Sequence, residues 1–277
     1  MITFRTEKVT DRITRIYGIC TELMYLVEGE EKAALLDTGS GFGSLRAVVE
    51  KLTDKPVIVL LTHGHTDHAM GAAEFPEVYM NHEDDYIYIP HGEKSFRLEG
   101  LEMSPEKSSF EMEKDYIPTA DVKSFHDMKG GDRFDLGKIH IRVFDIPGHT
   151  RGSEAFLIEE EGVLLTGDAC NNFTFLFEDY SLSVKEYREH LIQLKKQTDG
   201  LFDTVLSSHG DGSLPANIIE EVTEVCTDIL RGNSDDIPFW FRGHAGLLAK
   251  ATAGMGKPRV DGKYGNIVYS NNRIVSV

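Results

Sequence analysis

Val57-Ile58-Val59-Leu60-Leu61-Thr62-His63-Gly64-His65-Thr66-Asp67-His68-Ala69-Met70-Gly71 is the stretch that decides how the chain is read. Residues 57–61 are a continuous, β-branched apolar run between Pro56 and Gly64, which predicts a buried strand. The run stops at Thr62, and His63, His65, Asp67 and His68 follow within six residues. Neutral imidazole and carboxylate oxygen are donors that Zn²⁺, Fe²⁺ and Mn²⁺ accept. A solvated polar loop could carry one or two such groups. Four at the tip of a buried strand predict a metal-binding loop.

The same arrangement recurs down the chain. His149 follows the alternating strand of residues 138–143 and the turn Ile146-Pro147-Gly148. Asp168 closes the apolar segment 162–167, and His209 closes 205–208. Each is flanked by glycine or a small hydroxyl residue, so the backbone can turn sharply beside it. Strand ends are rigid supports that fix ligand geometry. Seven such donors suffice for two adjacent ions, which in two-metal hydrolases lie ~3.5–4 Å apart.

Around these groups the pattern predicts a mixed α/β chain. Residues 13–17, 23–27 and 33–36 read as antiparallel strands, and 44–53 as a helix capped by Ser44. A short helix is expected over 69–74 and a strand over 78–80. Residues 84–130 show no clear period and read as an insertion, a substrate loop or cap. Residues 155–158 and 162–167 form a hairpin, and 183–198 a helix with Ser183 and Glu186 in a capping box. A helix from about Pro215 to Leu230 and a last strand at 266–269 complete the reading.

Composition narrows the function. There are 29 basic and 46 acidic residues, net −17, and no basic arm, so nucleic acid is not expected as a partner. Cys20, Cys170 and Cys226 are isolated, which predicts neither a disulfide framework nor a structural zinc knot. No apolar run approaches ~20 residues, and residues 1–8 lack a signal-peptide core. The expected location is therefore the cytoplasm, with no membrane partner.

His63-x-His65-x-Asp67-His68 resembles the H-x-H-x-D-H signature of the metallo-β-lactamase-fold hydrolases. Asp37 after an apolar strand, Pro147-Gly148-His149-Thr150-x-Gly152-Ser153, Thr166-Gly167-Asp168 and Ser208-His209-Gly210 are similar to that family's other motifs, in its order, over roughly residues 12–212. The resemblance implies a four-layer αββα sandwich of two mixed sheets with outer helices. It implies one such domain over 1–277, with a cap region at about 84–130 and a C-terminal extension at about 213–277.

The resemblance also implies roles. His63, His65 and His149 would hold one metal, and Asp67, His68 and His209 a second. Asp168 would bridge them, and Asp37 would orient the 63–68 loop from behind. Two divalent ions are implied, zinc first, with iron or manganese as alternatives. The antibiotic-cleaving members place Cys where Asp168 stands, so β-lactam cleavage is not the expectation.

The implied activity is that of a metal-dependent hydrolase. Hydroxide held by two metals would attack an ester, thioester, lactone or phosphoester of a small molecule, with Asp67 handling the proton. The alternative is a mononuclear iron dioxygenase acting on sulfur substrates. A helix rich in acid (Glu220, Glu221, Glu224, Asp228) is a poor match to the glutathione-binding domain of glyoxalase II.

Beyond the ligand set, Phe239-Trp240-Phe241-Arg242 and His244 are candidates for a substrate pocket, with Arg242 meeting an anionic group. The competing reading has these aromatics docking the C-terminal segment on the core. His82, His91 and His244 are expected in loops that could face the site. Tyr86, Tyr88, Phe96, Phe110 and Tyr116 suit either a cap or a homodimer interface.

Overall fold

Turns at residues 9–12, 18–22 and 29–32 break the first 36 residues into four antiparallel strands. These are β1 (Arg5–Lys8), β2 (Ile13–Tyr17), β3 (Leu23–Glu28) and β4 (Ala33–Leu36). The pairing then becomes parallel. Helix α1 (Leu45–Leu52) leads to β5 (Val57–Leu60), and α2 (Thr66–Ala69) leads to β6 (Val78–Met80). Helices α3 (Asp85–His91), α4 (Lys94–Glu102) and α5 (Met112–Asp115) precede β7 (His126–Asp127). The seven strands form one mixed sheet in sequence order. The antiparallel pair β8 (Arg133–Asp135) and β9 (His140–Asp145) follows.

This is a computed structural model describing residues 2–102, 104, 107, 110–254 and 257–275. The chain divides within β9 into two units, Met1–Arg142 and Val143–Val277. In the first, Ser44 caps α1 by accepting the Ala47 N–H at 3.2 Å. Leu45 and Val49 of that helix bury into one core with Leu26, Leu35 and Val59.

β4 and β5 position the candidate ligands. They run parallel with Leu36 beside Leu60, so their carboxyl ends leave the sheet at one edge. The Asp37 N–H donates to the Leu60 carbonyl at 3.0 Å, placing the residue after β4 against the end of β5.

One expectation is corrected in this unit. The helix expected over 69–74 is instead α2, which starts at Thr66 with His65 as N-cap, and a separate 3-10 turn over Ala72–Glu74. Gly71 separates the two and lets the backbone pass against Thr38, where a Cβ would lie 2.3 Å from the carbonyl oxygen. Residues 84–130, which show no clear period in sequence, carry α3, α4 and α5. Residues 103, 105, 106, 108 and 109 of that stretch lie outside the described residues.

Periodicity misses these helices because α3 contains Pro90 and α4 buries a charge. Arg97 is 1% exposed. It donates to the carbonyls of Ile117 (2.7 Å), Gly41 (2.8 Å) and Ser40 (3.1 Å) and to Thr119 Oγ1 (3.1 Å). Its guanidinium also lies 4.3 Å over the Tyr116 ring. Arg97→Ala strips several buried acceptors at once and is expected to cost about 3 kcal/mol or more of stability. Urea unfolding followed by circular dichroism measures this. A loss below about 1 kcal/mol would show that water replaces the guanidinium without penalty.

The second unit repeats the parallel-pair device. β10 (Glu154–Ile158) and β11 (Val163–Leu165) form the expected hairpin. After β12 (Thr174–Leu176) and α6 (Val184–Thr198), β13 (Thr204–Leu206) runs parallel to β11, with Leu206 beside Leu165. The segments leading to Asp168 and His209 therefore leave the sheet at one edge, and the Thr166 N–H donates to the Leu206 carbonyl at 3.2 Å. α6 carries the full capping box of Ser183 and Glu186.

The next helix starts later than Pro215, as α7 (Ile218–Leu230), because Ser213–Leu214 pair with β13 as β14. α6 and α7 share a core that includes Leu191, Leu194, Val222, Val225 and Ile229. β15 (Ile237–Phe241), β16 (His244–Leu248) and β17 (Ile267–Tyr269) join β12 in a separate sheet of order β12-β17-β16-β15. The fold class is thus mixed α/β with several mixed sheets and helices, as expected. No described helix is long and apolar enough to cross a membrane.

Candidate functional site

In the first unit the loop after β5 folds its donors inward. His63 and His68 are each 1% exposed and His65 is 8% exposed. His63 Nε2 lies 3.0 Å from His65 Nδ1, and His68 Nε2 lies 3.7 Å from Asp67 Oδ2. Gly64 lets the loop pass close to α3, where a Cβ would lie 3.0 Å from the Asp84 carbonyl oxygen. Its N–H donates to the buried Asp84 carboxylate at 2.9 Å.

Behind the loop, Asp37 organises the rings. It is 1% exposed and sits at φ 63°, a left-handed conformation that Asp tolerates better than most side chains. Its Oδ1 accepts the Thr62 N–H at 2.7 Å, and its Oδ2 accepts the Thr62 hydroxyl at 2.8 Å. Oδ2 also accepts His68 Nδ1–H at 2.8 Å. Because Nδ1 of His68 is the donor here, its Nε2 keeps the lone pair. The Thr62 hydroxyl gives its one proton to Asp37, so at 3.0 Å it accepts from His63 Nδ1, leaving Nε2 of that ring to ligate as well.

In the second unit, Asp168 Oδ2 lies 3.3 Å from His209 Nε2 and 4.0 Å from His149 Nε2. His149 Nδ1 sits 2.8 Å from the Phe175 carbonyl. A carbonyl only accepts, so Nδ1 carries the proton and Nε2 the lone pair. Ser181 donates to the His149 carbonyl at 3.0 Å and fixes the backbone. Two imidazole Nε2 atoms thus flank one carboxylate.

These donor sets fit divalent metal ions. Imidazole nitrogens with their far side already hydrogen-bonded, together with carboxylates, are the donor chemistry such ions take.

Other sequence candidates fall on β15, β16, α3 and the turns beside them. Trp240 is 71% exposed on β15, and Arg242 is at the β15–β16 turn with φ 48°. His244 opens β16 rather than lying in a loop, and its Nδ1 pairs with Glu178 Oε2 at 2.9 Å. Burial raises the Glu178 carboxyl above its usual range, opposed by His244. Phe239 and Phe241 pack on Phe175, with ring centroids 5.7 and 5.2 Å apart. Cys170 is fully buried in the core of its unit, and burial pushes its thiol up. His91 is the last residue of α3 rather than a loop residue; its ring stacks on His65 at 5.0 Å and on Phe96 at 4.2 Å. His82 pairs with Asp85 at 2.8 Å, which raises it above the usual imidazole range.

Sequence reasoning missed Thr62, Phe175 and Glu22. Glu22 is 2% exposed and follows Thr21, whose φ is 72°. It accepts from the Cys20 N–H (2.7 Å), the Ser40 N–H (3.0 Å) and the Ser40 hydroxyl (2.6 Å), which ties down the loop that begins at Asp37. Burial holds its carboxyl above the usual range. Its one visible signal was an acid between Cys20 and the apolar run of β3.

Comparison with known proteins places the chain among relatives. The profile of the family described as "Metallo-beta-lactamase superfamily" matches residues 17–210. An uncharacterized protein of Mycobacterium tuberculosis is 30% identical over 152 residues, 49% of this chain. The match spans 61% of the length of that relative. The human acyl-coenzyme A thioesterase MBLAC2 is 26% identical over 210 residues, 67% of this chain and 72% of that protein. The solved metallo-beta-lactamase from Pontibacter korlensis superposes with TM-score 0.60 at 15% identity, covering 82% of this chain and all of that one. At that identity the likeness shows the fold alone.

Proposed function

The chain belongs to the metallo-beta-lactamase superfamily, and on that premise we propose that it is a metal-dependent hydrolase of small-molecule esters. His63, His65, Asp67, His68, His149, Asp168 and His209 are the proposed ligands of two divalent ions, zinc first. The observation that carries this reading is the set of occupied Nδ1 atoms. His68 is held by Asp37, His63 by Thr62 and His149 by Phe175, so each presents Nε2 as a donor. An oxygen on Nδ1 that fixes the tautomer and the ring orientation is the usual support of a metal-ligating histidine.

When bound, two divalent ions supply a water acidified toward neutral pH and a Lewis acid for the substrate oxygen. The chain's own residues do the rest. Asp37 and Thr62 hold the rings of His68 and His63 against rotation. Asp67, partly exposed beside His68, is placed to take a proton at its carboxylate and to return it to the leaving group. Within the ester, thioester, lactone and phosphoester classes, the thioesterase relative favours a thioester.

The test is a chelator dialysis. Turnover of a panel of thioesters, esters, lactones and phosphodiesters is expected to vanish on metal removal and to return on adding Zn²⁺ or Mn²⁺. Full turnover by metal-free protein would refute the proposal.

A further inference from the structure

Three near-parallel rings stand beside the loop that follows β5. The His65 and His91 rings are 5.0 Å apart between centroids, with planes 19° from parallel. Phe96 stacks on His91 in turn, at 4.2 Å and 18°. Other pairs of this unit, such as Tyr88–Phe125 at 75° and Phe42–Phe110 at 80°, meet edge to face instead.

His65 is the ring in the loop that such a stack can hold. His63 and His68 are held through Nδ1, by Thr62 and Asp37. His65 turns its Nδ1 toward the cluster, 3.0 Å from His63 Nε2, so an Nδ1 anchor of that kind is not open to it. Its backbone is fixed as the N-cap of α2, where its carbonyl accepts the Ala69 N–H at 3.0 Å. The χ2 torsion of a histidine is broad, so a fixed backbone still leaves the ring plane open.

His91 and Phe96 are themselves anchored. His91 ends α3, whose Tyr88 is 1% exposed and donates its hydroxyl to the Ala120 carbonyl at 3.2 Å. Gly92 lies so near Thr119 that a Cβ would stand 2.6 Å from its methyl carbon. The Thr119 hydroxyl donates to the Gly92 carbonyl at 2.6 Å and accepts from Arg97, the residue after Phe96, at 3.1 Å. The turn between the two rings therefore has little freedom.

We propose that His91, backed by Phe96, is a positioning residue whose ring sets the plane in which His65 presents Nδ1 to a divalent ion. The inference rests on the reading of His65 as a ligand. An imidazole that ligates a metal takes on part of its positive charge, and positive charge over the face of an aromatic ring is attracted by the ring quadrupole. The stack thus favours the ligating orientation of His65.

Zn²⁺ and Co²⁺ affinities of the full chain are measured by competitive chelator titration for wild type, His91→Phe, His91→Leu and His91→Ala. Circular dichroism of the metal-free proteins controls for folding. Phenylalanine keeps a flat ring and drops the nitrogens, whereas leucine keeps bulk and drops the ring. Leucine and alanine should each weaken the binding of one ion roughly three- to tenfold and alter the visible absorption of bound Co²⁺. Phenylalanine should return affinity to within about twofold of wild type and restore the Co²⁺ spectrum. If alanine unfolds the chain, the comparison of phenylalanine with leucine decides.

A leucine variant with wild-type affinity and spectrum overturns the proposal, because bulk alone then suffices. A phenylalanine variant as weak as leucine also overturns it, because a nitrogen of His91 rather than its ring plane is then required. The two readings fail separately. Wild-type protein that binds neither ion sinks the ligand reading and this inference together, whereas ion binding indifferent to residue 91 sinks this inference alone.

Discussion

Asp168→Asn is expected to lower kcat/KM on the order of a thousandfold, because a shared carboxylate contributes several kcal/mol through the charge it holds in place. Asp168 Oδ2 stands 3.3 Å from His209 Nε2 and 4.0 Å from His149 Nε2, the proposed ligands of the two proposed ions. Asparagine keeps the shape and loses the charge. The variant should fold, keep the His149–Phe175 contact and bind at most one ion per chain. Steady-state kinetics and metal content measured on the same preparation decide this. Near wild-type turnover, or two tightly held ions in the variant, would remove Asp168 from the centre.

Asp37→Ala is expected to weaken both fold and metal binding. Its carboxylate accepts the Thr62 N–H, the Thr62 hydroxyl and His68 Nδ1–H, all within 2.8 Å. Alanine leaves those donors buried and unsatisfied, at about 3 kcal/mol or more. It also meets the left-handed backbone at φ 63°, where a Cβ is unfavourable by roughly 1 kcal/mol. Glycine relieves the second cost and not the first. Asparagine tolerates the backbone and returns one acceptor. The expected stability order is therefore Asp, Asn, Gly, Ala.

Metal affinity should fall about 10- to 100-fold in the alanine variant, since His68 loses its anchor directly and His63 loses it through Thr62. Thermal melts and competitive chelator titrations read the two effects separately. An alanine variant within about 0.5 kcal/mol of wild type would mean water satisfies these groups.

Most of this fold was legible because its strands are written as apolar runs. β4, β5, β11 and β13 are short, mostly buried and β-branched or leucine-rich, and the residues after each one are the proposed ligands and their support. The caps of α1 and α6 were legible because Ser44 and Ser183 follow local rules. What escaped was set by tertiary contact. α4 turns a charged residue inward, and Arg97 finds its partners at residues 40, 41, 117 and 119, which no local window contains. The hydroxyl of Thr62 gained its place through Asp37, a residue 25 positions earlier. The Phe175 carbonyl is a backbone atom, so its part in holding His149 leaves no trace in side-chain pattern.

Metal content per chain is the most direct test of the central claim. Protein purified without added metal, then reconstituted and desalted, is measured by elemental analysis against amino-acid quantitation. Two divalent ions per chain, zinc foremost, is the predicted result. A chain that holds no ion even after reconstitution would contradict the ligand assignment itself, and a single tightly held iron would replace the dinuclear hydrolase with a mononuclear oxygenase.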